Sequence, residues 1–551
     1  MKKFLRHFRP HPHSKGRSAG KVSKHDFHDG RLSDHYAALI PGHDFTQRLP
    51  PPVLSKIFAE VCPHALDDSY NSSEESMTED GCMLCDMRDL AHCALVCRRW
   101  HPEAQALLYQ HVRIDPVHYC ELEIELAEKR KKNRSMFDRN GEPIDAPKVR
   151  LTLFMRTVRE RPELAEMVLS LRMPYMTREA SKAVLARTVS VLPNLRYVDL
   201  PAGFYTDESS SHALKQELMV RCPEIRRMKY AEGSEATFTS IPGSRLWMNL
   251  EMLELSRLNV EPTTLRLVLN SFPILKDLKL EDLPWPDDSI FSPVPSIPPF
   301  PPLQRLTLQD IPNITASGLA TYLSIPQNRE ALTYLTLSNT GVLPHTLHKI
   351  LLAAPYLRSL SIIQEVSRAF PLENIPPLSS RSLCMLHYEI TSQGSSYGLQ
   401  PTASTYYTYL MSSLTSNSLP ALQDLYVRDA TFPETLLLAP PPRIFGGGDS
   451  LGPQPRHRGL NRPLNVYSKG MDELEWNFTP YEPPATRGRR DSTTRPVSFH
   501  GAQLSPQWGG EARRSVLVGN GFGGFLAVPV DEGRPKSSGG WKSESKQDLW
   551  R

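Results

Sequence analysis

Two spacings of apolar residues alternate along this chain. From about residue 160 the phrase L-x-x-L-x-L returns in VLSLRM, LRYVDL, LEMLEL, LKDLKL, LQRLTL, LTYLTL, LRSLSI, LCMLHY and LQDLYV. The central apolar residues are Leu171, Val198, Met228, Leu253, Leu278, Leu306, Leu335, Leu360, Leu386 and Leu425. Alternation at period two predicts a strand at each. Between phrases the spacing approaches four: Leu265, Val268 and Leu269 precede Pro273, and Leu347, Ile350 and Leu351 precede Pro355. Each unit therefore joins a strand to a helix that a proline ends. A lone unit cannot bury both of its apolar faces. Neighbours must stack, which predicts an α/β solenoid with parallel strands on its concave side and helices on the convex side.

Upstream the pattern is helical throughout. Leu54, Ile57, Phe58 and Val61 of LPPPVLSKIFAEV lie on one helix face, entered through prolines whose missing N–H groups cost little. HALDDSYNSSEESMTEDG is acidic and serine-rich and reads as a loop. A second helix from near Met87 places Leu90, Cys93, Ala94 and Cys97 on one stripe, with Val96 and Trp100 alongside. A third, after Pro102, carries Ala104, Leu107 and Leu108. Residues 118–134 run from acidic to basic, as a helix dipole favours. The KRKK stretch from Lys129 suits a nuclear-import patch and a solvated helix end equally well.

These patterns divide the chain into a basic, histidine-rich tail (1–45), a three-helix module (46–115), a helical linker (116–160), the repeat array (161–438) and a Gly/Pro/Arg/Ser-rich tail (439–551). Both tails read as disordered. Fifty prolines among 551 residues agree with extensive linker, and the insert LPWPDDSIFSPVPSIPPFPP is expected to bulge from the array. NVYSKGMDELEWNFTPYEPP is more apolar than the tail around it and suits docking on a partner or on the solenoid itself. The net charge of +4 gives no reason to expect nucleic acid, and eight scattered cysteines fit a reducing compartment. No apolar run reaches the roughly 20 residues a membrane-spanning helix needs. A cytoplasmic or nuclear location is expected, with no membrane partner.

Candidate chemistry is sparse. Cys82 and Cys85 have zinc spacing, and with Cys93 and Cys97, and His92 as a further donor, could form a metal site. Cys93 and Cys97 already belong to the apolar stripe of a helix, where cysteine packs as a small hydrophobe. They are read as core, Cys82 and Cys85 are left open, and no metal or cofactor is expected. Gly519-x-Gly521-x-x-Gly524 lacks the strand–helix context of a dinucleotide site. No catalytic residue is expected.

LPPPVLSKIF, DLAHCALVCRRW and LLYQHV, in that order, resemble the F-box motif over residues 49–113. The loop between its first two helices is longer than the family usually carries. F-box proteins are substrate receptors of Skp–cullin–F-box ubiquitin ligases, and this layout resembles the leucine-rich-repeat branch of that family, apparently of the fungal kind. The resemblance implies that Leu49, Pro50, Leu54, Ile57, Phe58, Leu90, Val96, Cys97 and Trp100 contact a Skp-type adaptor and, through it, cullin. It also implies that the repeats capture an unknown target protein. The middle residue of each strand points away from the core, giving a concave row of Asp199, Lys229, Glu254, Lys279, Thr307, Thr336, Ser361, His387 and Tyr426. Its mixed character suits a protein better than nucleic acid. The alternative is a repeat scaffold unconnected with ubiquitination, with a zinc-stabilised loop near its N-terminus.

Overall fold

The computed structural model describes residues 45–76, 83–115, 120–132, 145–393, 402–438, 460, 462–471 and 473–483. The expected tail 1–45 lies almost wholly outside them, as do Cys82, Gly519-x-Gly521-x-x-Gly524 and most of 439–551. No described helix is long and apolar enough to cross a membrane.

Three helices open the fold: α1 (Pro51–Ala59), α2 (Met83–Val96) and α3 (Trp100–Gln110). They enclose a small core of their own, with Leu54, Phe58, Leu90, Ala94, Ala104 and Leu107 buried together. Ser55 of α1 donates to Glu103 of α3 at 2.6 Å, and the Phe58 and Trp100 rings sit 5.0 Å apart. Cys93 packs against this core, as its place on the stripe predicts.

Next, β1 (His111–Arg113), β2 (Ser170–Arg172) and β3 (Tyr197–Val198) form a three-stranded parallel sheet. A ten-stranded sheet follows. Its strands are β4 (Arg227–Ala231), β5 (Met252–Ser256), β6 (Asp277–Glu281), β7 (Arg305–Gln309), β8 (Tyr334–Ser338), β9 (Ser359–Val366), β10 (Met385–Ser392), β11 (Asp424–Val427), β12 (Leu464–Ser468) and β13 (Asn477–Tyr481). They lie in sequence order, parallel up to β12, with β13 antiparallel at the edge.

The leucine phase read from sequence is the register of these sheets. Leu171 pairs with Val198, and Met228, Leu253, Leu278, Leu306, Leu335, Leu360, Leu386 and Leu425 form one unbroken ladder, every member buried. A local device recurs after the strands. Arg257, Asp282, Asp310 and Asn339 each adopt a positive φ near +50°. Each donates its N–H to a carbonyl of the next strand, at 2.9–3.1 Å. Four non-glycine residues in a sparsely allowed conformation are held by the same bond.

The sheets and their core reach beyond residues 161–438 in both directions. β1 pairs with β2, and Val112 and Ile114 join the large core, as do Leu151 and Val158 from 116–160. β12 and β13 cover the last edge and bury Leu464 and Val466. Edge strands present unpaired backbone groups, and this hairpin satisfies those of β11. The proline-rich insert does not bulge. Ile290, Phe291 and Phe300 are buried, with both rings against Tyr322, and Arg266 donates to the carbonyls of Ser292 and Pro298 at 2.9 Å.

Candidate functional site

Two surfaces emerge: the outside of the helical module and the face of the sheets opposite the repeat helices. On the module the nine residues expected at the adaptor divide. Leu54, Phe58 and Leu90 are sealed in the core, and Leu49 and Trp100 pack partly against it. Trp100 also donates to Thr46 at 3.1 Å, and Arg99 donates to the Leu49 carbonyl. Pro50 and Cys97 retain exposure, while Ile57 (47%) and Val96 (61%) are prominent apolar surface. Helix positions four apart share a face, so exposed Val53 stands one turn from Ile57. Leu95 is exposed beside Val96. The sequence reading missed Val53 and Leu95; the motif is a list of apolar positions, and only packing separates core from surface.

The row across the strands is continuous. Lys229, Glu254, Lys279, Thr307, Thr336, Ser361, His387 and Tyr426 pair in succession, and Tyr467 of β12 extends the row. Its chemistry changes along its length. At one end Glu254 is buried and accepts from Lys229 at 2.8 Å, with Lys279 and Arg227 each 3.4 Å away. Burial opposes its ionisation, but the bond to Lys229 and the three surrounding cations prevail and hold the carboxyl at about 2. At the other end His387, Tyr426, Tyr467 and Trp476 form an aromatic cluster. Tyr426 and Tyr467 stack at 4.4 Å, and Trp476 meets His387 and Tyr426 edge-on. His387 contacts Ser361 Oγ through Nδ1 and Glu389 through Nε2, both at 3.1 Å. That bond from His387 is the foremost reason the Glu389 carboxyl lies at about 2, with Lys469 and Arg428 adding positive charge. A shallow cavity of about 440 Å³ lies here, lined by Arg305, Tyr334, Met385 and Trp476 with the hydroxyl-bearing row.

Asp199 does not belong with the exposed row. It is 2% exposed, and its carboxylate accepts from the backbone N–H of Met173 (2.9 Å), the Tyr197 hydroxyl (2.7 Å) and the backbone N–H of Ser73 (3.1 Å). Ser73 lies in the acidic loop of the helical module. Residues 67–76 form a strap across this end of the sheets, gripped by arginines that the sequence reading did not single out. Arg172, 1% exposed, donates to the carbonyls of Asp67, Ser69 and Asn71. Arg113 donates to the Ser73 and Ser76 carbonyls at 3.0 and 2.7 Å and to Ser76 Oγ at 2.8 Å. Arg227 donates to the Tyr70 carbonyl, and Arg178 pairs with Glu74 at 3.1 Å.

The grip falls mostly on backbone carbonyls, so the strap's course matters more to it than the strap's side chains. A signal was present: Arg113 and Arg172 follow Val112 and Leu171 just as Asp199 follows Val198, which continues the row into the first three strands. The strap covers that part of the row and leaves the part from Thr307 to Tyr426 open.

Among the described residues one group of potential metal ligands converges, and it is not the cysteine quartet with zinc-like spacing. It consists of Cys62, His64 and Asp86. Of the quartet, Cys93 belongs to the helical packing and Cys82 is not described.

A family model described as F-box-like matches residues 46–115. Those residues form an F-box-like domain. It comprises α1 to α3, the strap and β1. The crystal structure of the Rad7 and Elc1 complex in yeast is similar over 50% of this chain and 67% of that one, at 15% identity and a TM-score of 0.35. No curated protein matches the chain.

Proposed function

We propose that this chain is the substrate-recognition subunit of a Skp–cullin–F-box ubiquitin ligase. Its F-box-like domain binds the Skp-type adaptor and thereby cullin, and leucine-rich repeats hold the protein to be ubiquitinated. The observation that carries the reading is the F-box-like domain with Val53, Ile57, Leu95 and Val96 left exposed. Isolated exposed aliphatic residues are ordinary, but four on two helices of a domain this small supply the apolar centre of a protein interface. The target is placed on the open part of the row, where threonine, serine, histidine and tyrosine flank the aromatic cluster. Aromatic side chains dominate binding energy at protein interfaces. In this reading the chain supplies no catalytic group of its own and accelerates transfer by holding target and ubiquitin-loaded enzyme together.

The test is co-expression with the adaptor of the same organism, followed by size exclusion. One complex is expected, and Ile57→Asp should abolish it while the array stays folded. Separate elution of two folded proteins would instead favour a repeat scaffold unconnected with ubiquitination.

A further inference from the structure

The strap's two ends meet in the helical domain. Cys62 and His64 lie in and beside the turn that follows α1, and Asp86 lies in the first turn of α2. The thiol, an imidazole nitrogen and a carboxylate oxygen all lie within 4.8 Å of one another, and Cys62 and His64 are buried. The strap, residues 67–76, lies between these two ends in the sequence.

We propose that Cys62, His64 and Asp86 bind a zinc-class divalent metal ion that clips the base of this loop.

The donor set selects the metal. Thiolate and imidazole suit zinc and its soft or borderline neighbours, whereas calcium and magnesium require oxygen ligands. The geometry is also close. Ligands of a tetrahedral zinc ion lie roughly 3.3–3.8 Å apart, given bonds of about 2.0–2.3 Å. The observed group would need a contraction of at most about 1.0–1.5 Å to reach that spacing. Three protein ligands leave a fourth position for water or another donor.

The site also has a mechanical logic. A metal joining residue 64 to residue 86 binds only where the fold has brought the three donors together, so binding energy becomes folding energy for the strap. The strap in turn holds the F-box-like domain to the array through Arg113, Arg172, Arg178 and Arg227. A serine-rich segment without helix or strand of its own, with Ser73 and Ser76 buried, is thereby fixed at both ends and along its middle. This inference is independent of the ligase reading and stands or falls without it.

The experiment is metal analysis of the full-length chain, produced with added zinc and then desalted. About one zinc per chain is expected for the unaltered protein. Cys62→Ser and His64→Ala should each reduce it at least fivefold, and Cys93→Ser should not change it. Substitution of the full chain with cobalt should give a sulfur-to-cobalt charge-transfer band in the near ultraviolet. That band shows thiolate ligation, and its loss in Asp86→Asn but not in a Cys82→Ser/Cys85→Ser variant assigns it to this site even if Cys62→Ser fails to fold. Removing the metal with a chelator should accelerate amide exchange over residues 67–76 at least tenfold. A full-length chain that binds neither zinc nor cobalt would overturn the proposal. So would zinc that Cys62→Ser and His64→Ala leave in place.

Discussion

The carboxylate of Asp199 accepts a hydrogen bond from the backbone N–H of Ser73, 126 positions earlier, at 3.1 Å. One residue at the end of β3 thus fixes the middle of a loop that belongs to another part of the fold. Burial without that partner would be costly, since burial already pushes the Asp199 carboxyl above its ordinary range. Asp199→Ala should therefore destabilise the chain by about 2–4 kcal/mol, because three donors lose their acceptor. Urea unfolding measures the loss, and faster amide exchange at Ser73 would localise it. Unchanged exchange there would mean that the strap is held without Asp199.

Arg172 offers a sharper test of how the strap is gripped. Its planar guanidinium reaches three carbonyls at once, which a lysine ammonium cannot do in the same geometry. Arg172→Lys should keep the charge and still lose about 1–3 kcal/mol. If Arg172→Lys is as stable as the unaltered chain, charge alone holds the strap.

Neighbouring residues of α1 should respond in opposite ways. Phe58 is buried against Trp100, so Phe58→Ala should cost about 3–5 kcal/mol of stability. Ile57→Asp replaces a half-exposed side chain and should change stability by no more than about 0.5 kcal/mol. Thermal unfolding compares the two. A large loss from Ile57→Asp would place that residue in the core and remove it from the adaptor surface.

Acid should weaken the array through Glu254 and Glu389. Both carboxyls lie at about 2 in the folded chain, against 4.5 for an unperturbed glutamate. A group with a lowered folded pKa stabilises fully above its unfolded value, and that contribution is lost as pH falls through the folded one. Each should contribute up to about 3 kcal/mol at neutral pH, declining from about pH 4.5 and gone below about pH 2. Unfolding at pH 7, 4.5 and 3 traces the decline. Glu254→Gln should flatten it; an unaltered pH slope in that variant would remove Glu254 as a cause.

Truncation after residue 459 removes β12 and β13 and leaves β11 as a bare edge. Leu425 and Val427 lose the cover that Val466 and Leu464 help provide. Loss of solubility and a lower unfolding midpoint are expected. A truncated chain that stays soluble with an unchanged midpoint would show that the hairpin is dispensable to the fold.

The sequence by itself determined the strands from β2 to β11, their phase and the three helices. L-x-x-L-x-L carries its register within six residues, so Leu253, Leu278 and Leu306 could be assigned to one ladder before any pairing was known. The apolar stripe of α2 placed Cys93 in the helical packing by the same local logic. Tertiary structure alone decided the rest. DDSYNSSEES has no apolar period, and its place across the sheets depends on arginines from 37 to 157 positions distant; nothing local marks it as a strap. Asp199 and Thr307 hold equivalent places in the repeat, yet one is sealed and the other open, because only the first lies beneath Ser73. Cys62, His64 and Asp86 converge because two helix ends meet, although no local spacing joins them as Cys-x-x-Cys joins Cys82 and Cys85. Periodic burial is written into neighbouring residues, whereas the meeting of distant segments is decided by how the whole chain packs.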